Sequence, residues 1–441
     1  MMNRRDFLKN AGLGAAVLGA TACNNAKSDA AIHAESNAEP HGTMARHYPE
    51  VGLLGYGCMR WKMIKGEDGK EVIDQEDVNR LVDYAIEHGV NYFDSAPVYL
   101  KGQSEEATAK ALLRHPREDY LIATKCSSFG ASGEGAFRMG FDMYQKSLEY
   151  YKTDHLDYYL LHSLSGLKAF NERFGDCGLV DYLVKEREQG HIRNLGFSFH
   201  GTREGFDELL ALHDKYHWDF VQIQANYVDW NEDAEYLYNE LDRREIPVVI
   251  MEPLLGGGLS NVPAKIAEEL KSRDPQSSVA SWAFRFIGSY PRVLTVLSGM
   301  TYMEHLQDNL RTYLDFKPLN QEEVSFLTSM GRKIKEYPLI GCTACQYCMP
   351  CEYGIDIPGI FRFYNDRVNE ETYVTGPEQK HYARLRRQYL LKYNKAIPTV
   401  RQADHCINCR KCMPRCPQRI RIPDMLHNID EYLEKLKQET F

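Results

Sequence analysis

Two observations predict a (β/α)₈ barrel followed by a small, mostly helical module. Short apolar runs alternate with charged amphipathic stretches across the middle of the chain, and eight cysteines fall into two tight runs near the C-terminus. At 441 residues and 43% hydrophobic content, the chain can bury one large core and a second, smaller one. A formal net charge of −9 with no basic block argues against a nucleic-acid partner. No apolar run reaches about 18 residues, the length a membrane-spanning helix needs.

The N-terminus reads as an address. Arg4-Arg5 precede Phe7-Leu8-Lys9, and a Gly/Ala-rich apolar stretch runs from Ala11 to Ala22, which is the layout of a twin-arginine export signal over residues 1–23. Ala20-Thr21-Ala22-Cys23 resembles a lipoprotein processing site, and Cys23 would then carry a lipid as the chain's one membrane attachment. Plain cleavage near Ala22 is the alternative. Residues 24–47 are polar and Ala/Asn/Ser-rich, as in a flexible linker. The expected location is the periplasm or cell envelope.

The barrel is expected over 48–318. Its strands are read at 51–55, 91–93, 120–124, 157–161, 193–197, 220–225, 247–251 and 294–297, separated by amphipathic segments such as 77–88 and 205–215. Eight strand–helix units close a (β/α)₈ barrel, whose site lies at the C-terminal strand ends. Asp94 follows the second strand, with Tyr99 five residues on. Lys125 ends the third and His162 the fourth. A lone charge at a strand end is commonly a solvated rim residue, but four such side chains on successive strands point to one site.

Gly89-Val90-Asn91-Tyr92-Phe93-Asp94-Ser95-Ala96, Ala123-Thr124-Lys125 and Tyr159-Leu160-Leu161-His162 together resemble signature segments of the aldo-keto reductases. The resemblance spans about Tyr48 to Lys317 and implies reduction or oxidation of a carbonyl/alcohol pair on a small molecule. It implies Tyr99 as general acid, Lys125 as the cation lowering its pKa, Asp94 as the partner orienting Lys125, and His162 as a hydrogen bond to the substrate oxygen. It further implies a nicotinamide cofactor. Ser198 and Gln222 would hold the carboxamide, and Pro253, Leu254 and Gly256 in a Gly-rich loop would approach the pyrophosphate. Ser298, Gly299, Met300, Asp308 and Asn309 would grip the adenosine half. Phe199 stands where the family usually has Asn. Between Gly299 and Leu310 there is no Arg or Lys for a 2′-phosphate, so NADP and NAD both stay open.

The second module is expected over 319–441, opening on a helical stretch at 321–337. Cys342, Cys345, Cys348 and Cys351 form C-x₂-C-x₂-C-x₂-C, while Cys406, Cys409, Cys412 and Cys416 form C-x₂-C-x₂-C-x₃-C with Pro417 after it. The second spacing is the bacterial ferredoxin pattern, in which the fourth Cys serves the other cluster. Cys416 would therefore complete the set of Cys342, Cys345 and Cys348, and Cys351 that of Cys406, Cys409 and Cys412. Two [4Fe–4S] clusters in a ferredoxin-like module are expected, with a pair of zinc knuckles as the alternative. The Cys-Thr-Ala-Cys-Gln-Tyr-Cys-Met-Pro-Cys run resembles a reductase subgroup with such a module. Clusters assembled in a reducing compartment agree with export of a folded protein. They also raise two other readings: an electron-transfer iron–sulfur protein that meets a redox partner protein and uses a catalytically silent barrel as scaffold, and a reductase whose clusters are only structural. Cys58 and Cys126 are read as thiols near the barrel mouth, buried by default.

Overall fold

The computed structural model describes residue 48 and residues 50–440. The expected signal, Cys23 and nearly all of the linker lie outside the described residues. The strands, in chain order, are β1 (Leu54–Gly57), β2 (Met63–Lys65), β3 (Glu71–Ile73), β4 (Tyr92–Asp94), β5 (Leu121–Cys126), β6 (Leu156–Leu164), β7 (Ile192–Phe199), β8 (Phe220–Gln224), β9 (Val248–Met251) and β10 (Val293–Ser298). Eight close a parallel barrel in the order β1-β10-β9-β8-β7-β6-β5-β4. The remaining two, β2 and β3, form an antiparallel hairpin after β1 that the sequence reading did not anticipate.

Alternation along each strand sorts side chains between two cores. Tyr92, Ala123, Tyr158, Leu160, Phe220 and Val249 fill the lumen, with Tyr92 on Tyr158 at 4.9 Å and Tyr158 edge-on to Phe220 at 5.1 Å. Phe93, Ile122, Tyr159, Leu161, Phe197 and Val221 face outward beneath the helices. Each outward side chain fully buried this way contributes about 1.5–3 kcal/mol. At Gly196 of β7 the lumen has no room for a side chain, because a Cβ would stand 2.2 Å from the Phe220 carbonyl oxygen on β8. Gly196→Ala therefore forces the two strands apart, and a loss of about 1–3 kcal/mol is expected, read as a lower urea midpoint.

The helices of the outer shell include α1 (Gln75–Glu87), capped by Asp74, whose carboxylate accepts from the Asp77 N–H at 3.3 Å, and α2 (Ser104–Leu112). Helix α3 (Gln321–Lys335) opens with a reciprocal Asn320/Glu323 capping box. Its Val324, Leu327, Met330 and Ile334 join the barrel's core rather than the C-terminal one. The sequence reading had placed this stretch with the second module; its apolar stripe shows only that a partner exists, and the partner is the barrel.

The C-terminal module is built on α4 (Ile357–Asn369), α5 (Tyr382–Ala396) and α6 (Ile422–Gln438). Ile360, Phe361, Tyr389, Tyr393, Leu426, Leu433 and Leu436 form its core, and six of the eight C-terminal cysteines pack against that core. Asn365 of α4 holds the incoming chain through both the N–H and the carbonyl of Ile340, at 2.9 and 2.7 Å. The module docks on loops at the C-terminal end of the barrel. Arg60 donates to the Thr343 carbonyl at 2.6 Å, Gln224 and Gln418 bond amide to amide at 2.8 and 3.2 Å, and Asn261 donates to Asp366 at 3.0 Å.

Candidate active site and cysteine centres

Strand alternation delivers the rim residues. Asp94 lies two positions beyond lumen residue Tyr92, Lys125 two beyond Ala123, and His162 two beyond Leu160, so all three point into the same mouth. Lys125 is 0% exposed and donates to Asp94 at 2.5 Å and to the Ser95 carbonyl at 2.8 Å. Burial pushes the Asp94 carboxyl upward while Lys125 pulls against it. Tyr99 starts a tight turn in which Leu100 and Lys101 take left-handed backbone angles, φ 50° and 59°. The turn lays the Tyr99 ring edge-on to His162 at 5.7 Å.

The Lys125 ammonium stands over the face of the Tyr99 ring, 5.0 Å from its centroid. This corrects one expectation. Burial, followed by the electrostatics of Tyr347, Asp94, Cys58 and Glu252, holds the Tyr99 phenol well above its usual range, and Lys125 does not reverse the shift. Tyr99 therefore keeps its proton at neutral pH.

His162 is held by Ser127, whose Oγ meets Nδ1 at 2.5 Å. Burial, then Lys125 and Arg173, keep the imidazole neutral by driving its pKa well below 6.5. With Nδ1 engaged, Nε2 is the nitrogen left to bond a substrate oxygen. Arg173 buttresses the same strand end, donating to the His162 and Ser163 carbonyls at 2.8 and 3.2 Å. Ser127 was not singled out in the sequence, although it is the next inward position after Lys125. The Arg173 contact carries no sequence signal.

On the opposite arc, Ser198 accepts from the Ser163 N–H at 2.7 Å, and the Gln222 amide donates to the Met251 sulfur at 3.4 Å. The buried Gln222 Oε1 finds no partner among the described residues. Phe199 points the other way, into the outer core against Phe206 at 4.8 Å, so it replaces no ligand contact at the mouth. Pro253 is buried and Leu254 half-buried; Gly256 and Gly257 take φ 67° and 104°. Asn309 donates to Ser298 at 2.9 Å, and buried Met300 accepts from the Tyr56 hydroxyl at 2.5 Å. Gly299 lies under the Arg60 side chain. Asp308 pairs with Arg311 at 2.9 Å.

The eight C-terminal cysteines line two cavities. Cys342, Cys345, Cys348 and Cys416 line the first with Thr343, Ile357, Pro358, Phe361 and Ile420. Cys351, Cys406, Cys409 and Cys412 line the second, which Cys348 also lines. Ala344 and Gln346 in the first run, and Asn408 and Arg410 at matching places in the second, all have positive φ between 52° and 64°. Both runs thus share one backbone course. Among the described residues no three His, Cys, Asp or Glu side chains converge closely enough to hold a single metal ion. Cys58 and Cys126 are fully buried; burial pushes the Cys126 thiol up to about 12 and the Cys58 thiol higher, which makes both poor nucleophiles.

The model of the aldo/keto reductase family matches residues 53–332. Versiconal hemiacetal acetate reductase of Aspergillus parasiticus is 34% identical over 327 residues, covering 66% of this chain and 83% of its own. An uncharacterized oxidoreductase of Bacillus subtilis, YqkF, is 24% identical over 307 residues, 64% of this chain and 92% of its own. An aldo-keto reductase from Klebsiella pneumoniae in complex with NADPH superposes with a TM-score of 0.52 at 23% identity, covering 65% and 95% of the two chains, a likeness of fold. The family match ends before the cysteine runs. Taken with the closed parallel barrel, these matches mean that the chain belongs to the aldo/keto reductase family and is an oxidoreductase of that type.

Proposed function

We propose that the barrel interconverts a carbonyl and an alcohol on a small molecule, with a nicotinamide cofactor, NADP or NAD, as hydride carrier. The observation that carries this is the convergence of Asp94, Lys125, Tyr99 and His162 on one mouth. The cofactor fits the residues at the nicotinamide end, where the unpaired, buried Gln222 Oε1 suits a carboxamide N–H; at the pyrophosphate end Gly256 is covered by Thr343 of the C-terminal module. The NADPH bound to the Klebsiella pneumoniae protein adds support for NADP. When bound, the cofactor supplies hydride to carbon; this chain's residues manage the oxygen. His162 Nε2 and the Tyr99 hydroxyl donate to the substrate oxygen, and Tyr99 gives up its proton as charge develops there. Lys125, fixed by Asp94, stabilises the electron-rich ring that results.

Two [4Fe–4S] clusters held by the two cysteine sets complete the proposal, each supplying single-electron storage in a ferredoxin-like module that begins between Lys335 and Ile340. The crossed lining of the two cavities supports this assignment. Zinc knuckles, the alternative, would need four sulfurs about 2.3 Å from one ion. Anaerobic Cys416→Ser protein should lose the first set alone, so iron falls from about eight to about four per chain. Zinc in place of iron, or unchanged iron, would refute the crossed assignment. Export by the twin-arginine route to the periplasm or envelope, lipid attachment at Cys23 and a tether over 24–47 form part of the same reading, supported by the sequence. Cell fractionation with the Arg4 and Arg5 codons changed to Lys tests it; retention in the cytoplasm is expected.

A further inference from the structure

We propose that residues 341–344, at the entry to the first cysteine run, form a strap that competes with the pyrophosphate of the nicotinamide cofactor for the Gly-rich loop after β9. The Thr343 backbone is seated directly on Gly256, where a Cβ would stand 2.5 Å from the Thr343 Cα and 2.6 Å from its carbonyl carbon. A face that cannot admit one methyl group cannot admit a phosphate. The neighbouring crevice is roofed as well. The Arg60 side chain lies across Gly299, where a Cβ would meet its Cδ at 2.8 Å, and its guanidinium donates to the Thr343 carbonyl at 2.6 Å. One bridge thus runs from the end of β10 to the loop after β9 and covers both glycines expected beside the dinucleotide.

The seat of the strap is reversible by construction. Its near end hangs on two hydrogen bonds, from the Ile340 N–H to the Asn365 side chain at 2.9 Å and from Asn365 to the Ile340 carbonyl at 2.7 Å. Gly341 beyond it is exposed, with open space around its Cα. Beneath the strap, the Thr343 hydroxyl and one Glu252 carboxyl oxygen are buried and find no hydrogen-bond partner among the described residues. Water reaches both groups once the strap lifts, which offsets part of what the Arg60 and Gly256 contacts contribute. The dinucleotide then binds only molecules with the strap lifted, and its apparent affinity falls by that fraction. Cys342 and Cys345 flank Thr343 and line the first cavity, so the order of the first cysteine set bears on how firmly the strap is seated.

The inference rests on the reading of a nicotinamide cofactor, and the experiment separates the two. NADPH is added to anaerobically purified full-length protein, and hydrogen exchange is followed over 341–345 and over 298–309. Competition for Gly256 predicts faster exchange in the first segment and slower exchange in the second. A strap that merely closed over a bound nucleotide would slow both. Asn365→Ala frees Ile340 from outside the site and should tighten NADPH binding about tenfold, with the iron content unchanged. Slower or unchanged exchange over 341–345 when NADPH binds, or an affinity no tighter in Asn365→Ala at full iron content, would overturn the inference. Should that variant lose iron, the exchange pattern of the unaltered protein decides alone. If NADPH slows exchange over 298–309 in neither protein, the cofactor reading fails instead.

Discussion

Tyr99→Phe is expected to lower kcat for carbonyl reduction by 10²-fold or more, with KM for the carbonyl little changed. General acid catalysis contributes about 10²–10⁴-fold, and the phenyl ring keeps the packing against His162 and Lys125. The pH profile carries the sign. Because burial holds the phenol well above its ordinary value, the protonated form persists through the neutral range. Reduction, which needs the proton, should stay flat from pH 6 to 9 as far as Tyr99 is concerned. Alcohol oxidation needs Tyr99 to accept a proton and should climb with pH across the same range. Steady-state rates in both directions check this, and a reduction rate that halves as pH rises through neutrality would contradict it.

Lys125→Met should be the most destabilising single change at the mouth. Lys125 and Asp94 are a buried pair, and removing one partner leaves the other as an uncompensated charge, at a cost of about 3–5 kcal/mol. Without its cation, buried Asp94 would have a folded-state pKa above its unfolded value of about 3.9. The folded form then holds the proton more tightly than the unfolded chain, so stability falls as pH rises above about 4. The deficit against wild type should accordingly be small near pH 4 and full at pH 7. Urea melts at both values test this. Asp94→Asn together with Lys125→Met should recover most of the stability and none of the activity, which separates folding from chemistry.

The parts of the molecule legible in the sequence are those set by local periodicity. Eight apolar runs mark the barrel strands, and the step of two from Ala123 to Lys125 or Leu160 to His162 carries a rim residue inward from a lumen residue. The hairpin of β2 and β3 escaped because each arm has three residues and only Ile73 is buried, too short a pattern for alternation to be read. Helix α3 showed its apolar stripe but not the core it faces. The sequence places a lysine near Tyr99 but does not show the burial that raises the phenol's pKa.

Long-range contacts were the least legible. Arg60 and Thr343 are 283 positions apart, and Gln224 and Gln418 are 194 apart. No spacing rule connects such residues, yet they put the first cysteine set over the barrel mouth. The cysteines announced themselves by number and interval; their relation to the site needed three dimensions.

The most direct measurement is anaerobic addition of NADPH to the iron-loaded, full-length protein, following the broad visible absorbance of the clusters alongside carbonyl turnover. If the barrel and the cysteine module work together, NADPH bleaches that absorbance and a carbonyl substrate restores it. Carbonyl reduction that proceeds with the absorbance untouched would contradict the coupling and leave the clusters as structural staples.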